Sequence, residues 1–215
     1  MKNVIFVAPP AAGKGTCSEY LKSKFNYNHV STGDLLREAR IKGDELSQRI
    51  ASIMDSGGLV GDDIVLELLQ NKLNQLGTSS KFILDGYPRN IAQAKTLDEL
   101  FNSLNISDYV VIYLTIDFEE ALKRTLSRLI CPNCKRGYNK YSTSLKPIKD
   151  GICDDCGASL ITRSDDNEET FKIRFDNYMK ETSEVIKYYE EKNKLVTINA
   201  SDSIDSIYEN IERVI

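Results

Sequence analysis

The stretch NVIFVAPPAAGKGTCSEYLKSKF, residues 3–25, decides the fold. Its apolar beginning, Val4–Val7, predicts a buried strand, and the spacing of apolar residues after Thr16 predicts a helix. A loop of small residues connects the two. Backbone N–H groups in such a loop point inward and the dipole of the following helix adds positive potential, so the stretch predicts a phosphate-binding loop. Lys14 supplies a cation for the terminal phosphates of a nucleoside triphosphate.

Two positions in this loop depart from the general pattern of phosphate loops. Ala8 stands where the pattern begins with Gly, so this position must accommodate a Cβ. Gly15 follows the lysine, and the hydroxyl comes one place later, at Thr16. We therefore expect Mg²⁺ to be held mainly by phosphates and water, with Asp85 as an outer-sphere acceptor.

Composition restricts the class of protein. The chain has 215 residues and a net charge of −4, a length that predicts one domain, with or without an inserted subdomain. A pI near 5.2 argues against general binding to nucleic acid or to an anionic membrane. The apolar runs are too short to span a membrane. The first seven residues are typical of a strand rather than a signal peptide, so we expect a soluble, cytoplasmic protein.

Short apolar runs alternate with helical patterns along the chain. Buried parallel strands are predicted at Val4–Val7, His29–Val30, Phe82–Leu84, Val110–Leu114 and Leu195–Ile198. Helices are predicted at Thr16–Phe25, Gly33–Arg40, Glu45–Met54, Asp63–Leu76, Ile91–Leu104, Phe118–Arg128, Glu168–Glu191 and Ser203–Val214. This alternation predicts an α/β doubly wound sheet with its ligands at the carboxyl ends of the strands.

Four of the five cysteines form two C-x-x-C pairs, Cys131 with Cys134 and Cys153 with Cys156. This spacing predicts a four-thiolate zinc site. The unpaired Cys17 and the lack of a secretory signal favour a reducing compartment over disulfides. The insert at 130–166 shows no helical period and is too small for its own core, so a metal would hold it together.

Four motifs follow one another in order, namely PPAAGKGT (9–16), STGDLLR (31–37), LDGYPR (84–89) with Gln93, and RSDDNEET (163–170). Together they resemble the adenylate kinase family, over nearly the whole chain. The cysteine insert resembles the zinc-bearing lid of the long-lid form. The resemblance implies a P-loop kinase-type doubly wound parallel sheet with a mobile AMP-binding part and a mobile lid. The implied bounds are core 1–30, 62–129 and 166–215, AMP-binding part 31–61 and lid 130–165.

The resemblance also implies an activity. A monomer would transfer the terminal phosphoryl group of ATP to AMP with Mg²⁺, giving two ADP and maintaining adenine nucleotide balance. Residues implied to stabilise the transferring charge are Lys14, Arg89, Arg124, Arg128, Arg163 and Arg174. Residues implied to bind ATP are Ala11, Ala12, Gly13, Lys14, Gly15, Thr16, Arg128, Gly137, Tyr138 and Asp202. Residues implied to bind AMP are Thr32, Arg37, Gly58, Leu59, Val60, Gly86, Tyr87, Pro88, Arg89, Gln93, Arg163 and Arg174.

Some of these assignments carry a chemical reason of their own. The amide of Gln93 offers a donor and an acceptor together, which suits the edge of adenine. The ring of Tyr138 is a natural platform for stacking on the donor base. Arg124 and Arg128 lie four residues apart, which predicts one helix face leading into the lid.

Structural interpretations compete with several assignments. Thr32 could be the N-cap of the helix that follows it, and Leu59 and Val60 could be core residues. The arginines could pair at the surface with Asp165, Asp166 and Glu168. His29 is more typical of a strand or core residue than of a catalyst.

Three other functions remain open at this stage. One is a kinase for another nucleoside monophosphate, or one that uses GTP as donor. Another is a zinc-ribbon NTPase that binds nucleic acid, which the acidic net charge opposes although the insert carries several cations, Lys135, Arg136, Lys140, Lys146 and Lys149. The last is a structural protein with an inactive phosphate loop.

Overall fold

The computed structural model describes residues 1–41, 43–55, 60–77, 80–163 and 165–215. The strands are β1 (Asn3–Val7), β2 (Asn28–Ser31), β3 (Phe82–Asp85), β4 (Tyr109–Thr115), β5 (Arg128–Ile130), β6 (Gly137–Asn139) and β7 (Leu195–Asn199). The helices are α1 (Lys14–Phe25), α2 (Thr32–Arg40), α3 (Glu45–Asp55), α4 (Asp62–Leu76), α5 (Ile91–Ser103), α6 (Phe118–Leu126), α7 (Glu168–Glu191) and α8 (Ile204–Glu212).

Five of the strands form one parallel sheet in the order β2-β3-β1-β4-β7. The central strand β1 pairs with β3 and β4, and Ile5 lies opposite both Leu84 and Val111. The five strands predicted from apolar runs are therefore confirmed, as is the doubly wound α/β class. Because all five run in one direction, their carboxyl ends share one edge, which brings the loop after β1 near the ends of β2 and β3.

Each face of the sheet packs on its own set of helices. Ile5 and Val7 belong to the core under α4, α5 and α7, whereas Val4 and Phe6 belong to the core under α1 and α8. Successive side chains of a strand point to opposite faces, so a strand covered on both sides is apolar throughout. This explains why β1 is an uninterrupted apolar run rather than an alternating one.

The predicted end of α6 is wrong, because a strand takes the place of its last turn. The helix α6 ends at Leu126, and Arg128 begins the strand β5 instead of extending the helix. Ser127 closes the helix, because its hydroxyl donates to the Lys123 carbonyl at 2.7 Å and accepts from the Asn139 amide at 2.8 Å. Arg124 and Arg128 therefore do not share a helix face.

The insert that contains the cysteines forms a separate small sheet. The strands β5 and β6 pair antiparallel, and Ile130 forms a bridge with Ile161 further along the chain. A small cluster of buried side chains fills its centre, namely Leu129, Cys131, Tyr138 and Cys153. The insert therefore has a small core of its own, contrary to the prediction, and half of that core consists of cysteines. The described residues of 130–165 contain no helix.

Candidate active site and metal centre

The loop between β1 and α1 has the backbone shape of an anion site. Ala11 and Gly13 have positive φ angles of 63° and 93°, and this alternation turns successive N–H groups toward one point. No side chain caps the amino terminus of α1, so the first N–H groups of the helix have no side-chain acceptor there. Ala8 is buried in the core, and its φ lies outside the left-handed region. Its Cβ therefore causes no strain, and within this loop only Ala11 carries a side chain at a position that favours glycine.

Lys14 lies at the centre of a group of cations. Its ammonium donates to the Ala8 carbonyl at 3.3 Å. Burial lowers the pKa of Lys14, the negative charge of Asp85 opposes this, and the positive charges of Arg89, Arg174 and Arg128 lower the pKa further. Lys14 and these three arginines therefore form one group of interacting charges at the carboxyl edge of the sheet.

Arg163 extends the same group. Burial lowers the pKa of its guanidinium, and the nearby charge of Arg128 lowers it further, while Asp165 and Asp166 raise it. Five cations form what we call the cationic cluster: Lys14, Arg89, Arg128, Arg163 and Arg174. Cations this close repel one another unless anions lie between them, so the cluster suits a polyphosphate.

Carboxylates hold two arginines of the cationic cluster in place. The Nε and one terminal nitrogen of Arg128 donate to the buried carboxylate of Asp166, with the Nε to Oδ2 distance at 2.9 Å. Arg174 pairs with Asp165 at 2.7 Å. The predicted surface pairs thus exist for the two aspartates, whereas Glu168 pairs with Lys172. A forked guanidinium held by one carboxylate keeps donors free for phosphate oxygens.

Arg124 is not part of the cationic cluster in this arrangement. Its Nε donates to Glu120 at 2.9 Å, and one of its terminal nitrogens donates to the Ala200 carbonyl at 2.9 Å. Ala200 follows β7, in the loop that contains Asp202. Arg124 is therefore linked to the segment implied to meet the donor base, rather than to the predicted phosphate residues.

The residues after β2 and β3 meet at the same edge. Thr32 is buried, and its hydroxyl donates to the Gly86 carbonyl at 3.2 Å. The N-cap of α2 is Ser31, whose hydroxyl accepts the Asp34 N–H, so the interpretation of Thr32 as the cap is wrong. Arg37 is exposed and pairs with Asp34.

In the loop after β3, some side chains are buried in the core and one is exposed at the site. Tyr87 and Pro88 are buried, whereas the Arg89 side chain is exposed and its Nε donates to the Gly86 carbonyl at 2.9 Å. Of this stretch, only Arg89 presents a charged group. Val60 packs against a buried cluster, as the core interpretation predicts. The predicted contacts of Gly58 and Leu59 lie outside the described residues.

The amide of Gln93 is held at both ends. Its Oε1 accepts the Arg89 N–H at 2.7 Å, and its Nε2 donates to Asp62 Oδ1 at 2.7 Å. The side chain is 8% exposed. An amide has two donors and two acceptor lone pairs, so one donor and one acceptor of Gln93 remain for a ligand.

The predicted stacking platform is not available in this structure. Tyr138 is only 3% exposed, and the Arg136 guanidinium covers its ring at 5.0 Å from the centroid. A base needs an open ring face, so Tyr138 offers none here. Its neighbour Gly137 is exposed, and so is Asp202, which accepts from the Asn199 side chain at 2.9 Å.

Three residues near the site were not predicted as functional. His29 Nε2 lies 3.6 Å from Asp85 Oδ2, Asp62 binds Gln93, and the Thr182 hydroxyl donates to the Arg89 carbonyl at 3.3 Å. The parallel pairing of β2 with β3 is the one signal that places His29 near Asp85. Asp62 and Thr182 are distant in sequence from their partners, and no local pattern marks them.

Asp85 remains ionised at the edge of the cationic cluster. Burial raises the pKa of its carboxyl, but the imidazole of His29 and the ammonium of Lys14 lower it, and the net shift is downward. A carboxylate with a lowered pKa is an acceptor at neutral pH. It therefore suits the water molecules of a phosphate-bound Mg²⁺ ion.

The four paired cysteines come together in the insert, as the spacing predicts. Their sulfur atoms all lie within 4.8 Å of one another. Two similar turns present them: the Cys131 carbonyl accepts the Lys135 N–H at 3.1 Å, and the Cys153 carbonyl accepts the Gly157 N–H at 3.0 Å. Both turns end in the left-handed region, at φ angles of 65° and 72°.

The donor set fits zinc. In a tetrahedral site with Zn–S bonds of about 2.3 Å, the sulfur atoms stand about 3.8 Å apart. The pairs Cys131–Cys156 and Cys134–Cys153 are at 3.4 and 3.5 Å. The Tyr138 hydroxyl, 3.4 Å from Cys153 Sγ, and the backbone N–H groups of Cys156 and Asp155 together lower the pKa of that thiol to about 6, although burial raises it. A thiolate at neutral pH is the form that binds a metal.

Comparisons with known proteins agree with this geometry. The family model described as adenylate kinase matches residues 6–194. The chain is 42% identical to the adenylate kinase of Thermosipho africanus over 99% of each chain. It is 39% identical to that of Petrotoga mobilis over 99% of this chain and 96% of the relative. It is 38% identical to that of Archaeoglobus fulgidus over 99% and 97%. Among the described residues, no helix has the length and apolar character needed to cross a membrane. The chain belongs to the adenylate kinase family.

Proposed function

We propose that this chain transfers the terminal phosphoryl group of ATP to AMP, giving two ADP. The observation that carries the proposal is the cationic cluster beside the loop that joins β1 to α1. Phosphoryl transfer from a triphosphate to a monophosphate needs positioning and charge stabilisation more than a nucleophilic side chain. The cluster supplies both to two anionic substrates that would otherwise repel each other.

On the donor side, the loop N–H groups and Lys14 bind the β- and γ-phosphates of ATP. An oxygen of the AMP phosphate then forms a bond to the γ-phosphorus as the bond from that phosphorus to the leaving ADP oxygen breaks. Charge moves from the γ-phosphoryl group toward the leaving oxygen during this step. Lys14, bound to a backbone carbonyl near the loop, is placed to follow that charge.

On the acceptor side, Arg89 binds the AMP phosphate and Gln93 binds the adenine. The backbone N–H of Arg89 donates to Gln93, and its carbonyl accepts from Thr182. The backbone that carries the arginine side chain is therefore fixed before AMP binds. Arg128, Arg163 and Arg174 enter from the insert and from α7, and they neutralise the group in transfer. Such preorganisation reduces the reorganisation that the reaction would otherwise require.

Two metals belong to the proposal. Mg²⁺, when bound with ATP, neutralises phosphate charge, and the Asp85 carboxylate accepts from its water ligands. Zinc, held by Cys131, Cys134, Cys153 and Cys156, has a structural role, because four thiolates leave no open position for substrate. We also propose that residues 31–61 and 130–165 move as the AMP-binding part and the lid of a cytoplasmic monomer.

A panel of nucleotides tests the reaction. We expect ADP from ATP and AMP in a coupled assay, with GTP as donor and with GMP, CMP and UMP as acceptors giving much lower kcat/KM. A preference for another monophosphate would contradict the proposed acceptor, and no phosphoryl transfer to any of them would indicate an inactive loop. A salt-dependent affinity for DNA would favour a nucleic-acid NTPase. Against that alternative, the insert's Arg136 is already paired with Asp154 and Asp155.

Replacement of Gln93 by leucine tests the acceptor base. The variant keeps the size of the side chain and removes its donor and acceptor. We expect AMP binding, measured by calorimetry, to weaken by about 1–3 kcal/mol while ATP binding is nearly unchanged. Gln70→Leu, an exposed position on α4, is the matched control. Equal weakening of both nucleotides would show that Gln93 supports the fold rather than the base.

A further inference from the structure

The amide of Gln93 can present its donor and its acceptor to a base in two opposite orders. With Oε1 and Nε2 in one order it is complementary to adenine, whose exocyclic amino group donates and whose N1 accepts. With the amide turned over by 180°, the same side chain is complementary to a 6-oxopurine, whose O6 accepts and whose N1–H donates. A free glutamine would therefore discriminate poorly between these two purines, because the rotation about its last bond is soft.

In this structure two neighbours oppose that rotation. Oε1 accepts the Arg89 N–H and Nε2 donates to the Asp62 carboxylate, both at 2.7 Å. Turning the amide over would place its NH₂ group against an N–H donor and its oxygen against a carboxylate. Both contacts would become repulsive, and the buried N–H would lose its acceptor.

Asp62 is well placed for this task. It is the first residue of α4, where a negative charge is favoured by the helix dipole. Its hydrogen bond with Gln93, which in turn binds the Arg89 N–H, places the carboxylate beside the loop that contains Arg89. The carboxylate accepts and cannot donate, so it admits only one order of the amide atoms.

We propose that Asp62 is a positioning residue that holds the Gln93 amide in the orientation that selects adenine over a 6-oxopurine. The inference rests on the proposed function, because it takes Gln93 to face the acceptor base. The remaining donor and acceptor of Gln93 then match the adenine edge. Because the Asp62 carboxylate fixes the order of the amide atoms, Gln93 selects adenine instead of accepting either purine. Selectivity at this site therefore depends on a residue that itself need not touch the base.

The test compares AMP with inosine monophosphate, which differs from AMP at this edge alone. Dissociation constants from calorimetry and kcat/KM from a coupled assay are measured for the parent, Asp62→Asn and Asp62→Ala. We expect the preference for AMP to fall about tenfold in both variants, the scale of one hydrogen bond to a charged group. KM for ATP should be unchanged, since Asp62 belongs to the acceptor side.

Asp63→Asn is the matched control. It removes the same charge from the same turn of α4 and leaves the contact with Gln93 intact, so the preference for AMP should be retained. Thermal melting of each variant separates loss of selectivity from loss of fold.

An unchanged preference in both Asp62 variants, or an equal fall in Asp63→Asn, would overturn the inference. If the parent binds AMP selectively but transfers no phosphoryl group, the proposed reaction fails and the role of Asp62 is still decided by the binding data. A parent that binds AMP and inosine monophosphate equally would contradict the role of Asp62 directly.

Discussion

Replacement of Lys14 by methionine is expected to lower turnover by at least about a hundredfold, the scale of losing one strong electrostatic stabiliser. Methionine has nearly the length of lysine and no charge. The charges of Asp85 and of three arginines all act on its ammonium, which therefore belongs to the cationic cluster. A group that acts mainly on the developing charge of the transition state lowers kcat more than it weakens binding of the substrate.

Steady-state kinetics with ATP and AMP measure this effect, and kcat and KM must be separated. Lys22→Met is the matched control, because Lys22 lies on the same helix, is exposed and pairs only with Glu19 among the ion pairs of the described residues. It should keep the parent's kcat. Near-normal turnover in Lys14→Met would contradict the role assigned to the loop between β1 and α1.

The second large effect concerns the insert that contains the cysteines. We expect one zinc per chain in the purified protein and none after the double change Cys153→Ser, Cys156→Ser. Cys153 belongs to the only cluster of buried side chains in the described part of the insert, so loss of the metal removes much of what orders it. Because the binding free energy of such a site is largely local folding free energy, the melting temperature should fall.

Metal analysis and thermal melting together check this expectation. Some activity should remain if the insert still closes over ATP. Cys17→Ala is the control: Cys17 is buried near the phosphate loop, burial raises the pKa of its thiol to about 12, and its removal should leave the zinc content unchanged. Zinc retained after both cysteines are replaced, or no zinc in the parent under reducing conditions, would contradict the four-thiolate site.

Much of the fold could be predicted because a parallel sheet covered on both faces leaves a strong pattern. The run Tyr109–Thr115 is apolar for most of its length, and no short helix would be buried so evenly. The end of α6 could not be predicted in this way. Its limit is set by the side chain of Ser127, which binds Asn139 from a later strand, and such a contact leaves no periodic signal.

The residues of the candidate site also differ in whether they could be predicted from the sequence. Lys14 and the four cysteines could be predicted because their chemistry depends on residues close in sequence. The family motifs indicated which other residues to consider, but not how they pair. Tyr138 shows the difference: its type suits a base, yet its hydroxyl binds Cys153 and its ring is buried. Asp62 was not predicted, because its partner is 31 residues away.

The helix α7 sets the distance between two residues of the candidate site. It contains 24 residues and carries Arg174 near its beginning and Thr182, which binds the Arg89 carbonyl, near its middle. At 1.5 Å per residue these two positions are about 12 Å apart along the axis. The helix thus fixes the spacing between Arg174 and the loop that contains Arg89. A substitution between them by any residue other than proline keeps this spacing, whereas one inserted residue would rotate Arg174 by about 100° relative to Thr182 and turn its guanidinium away from the cationic cluster.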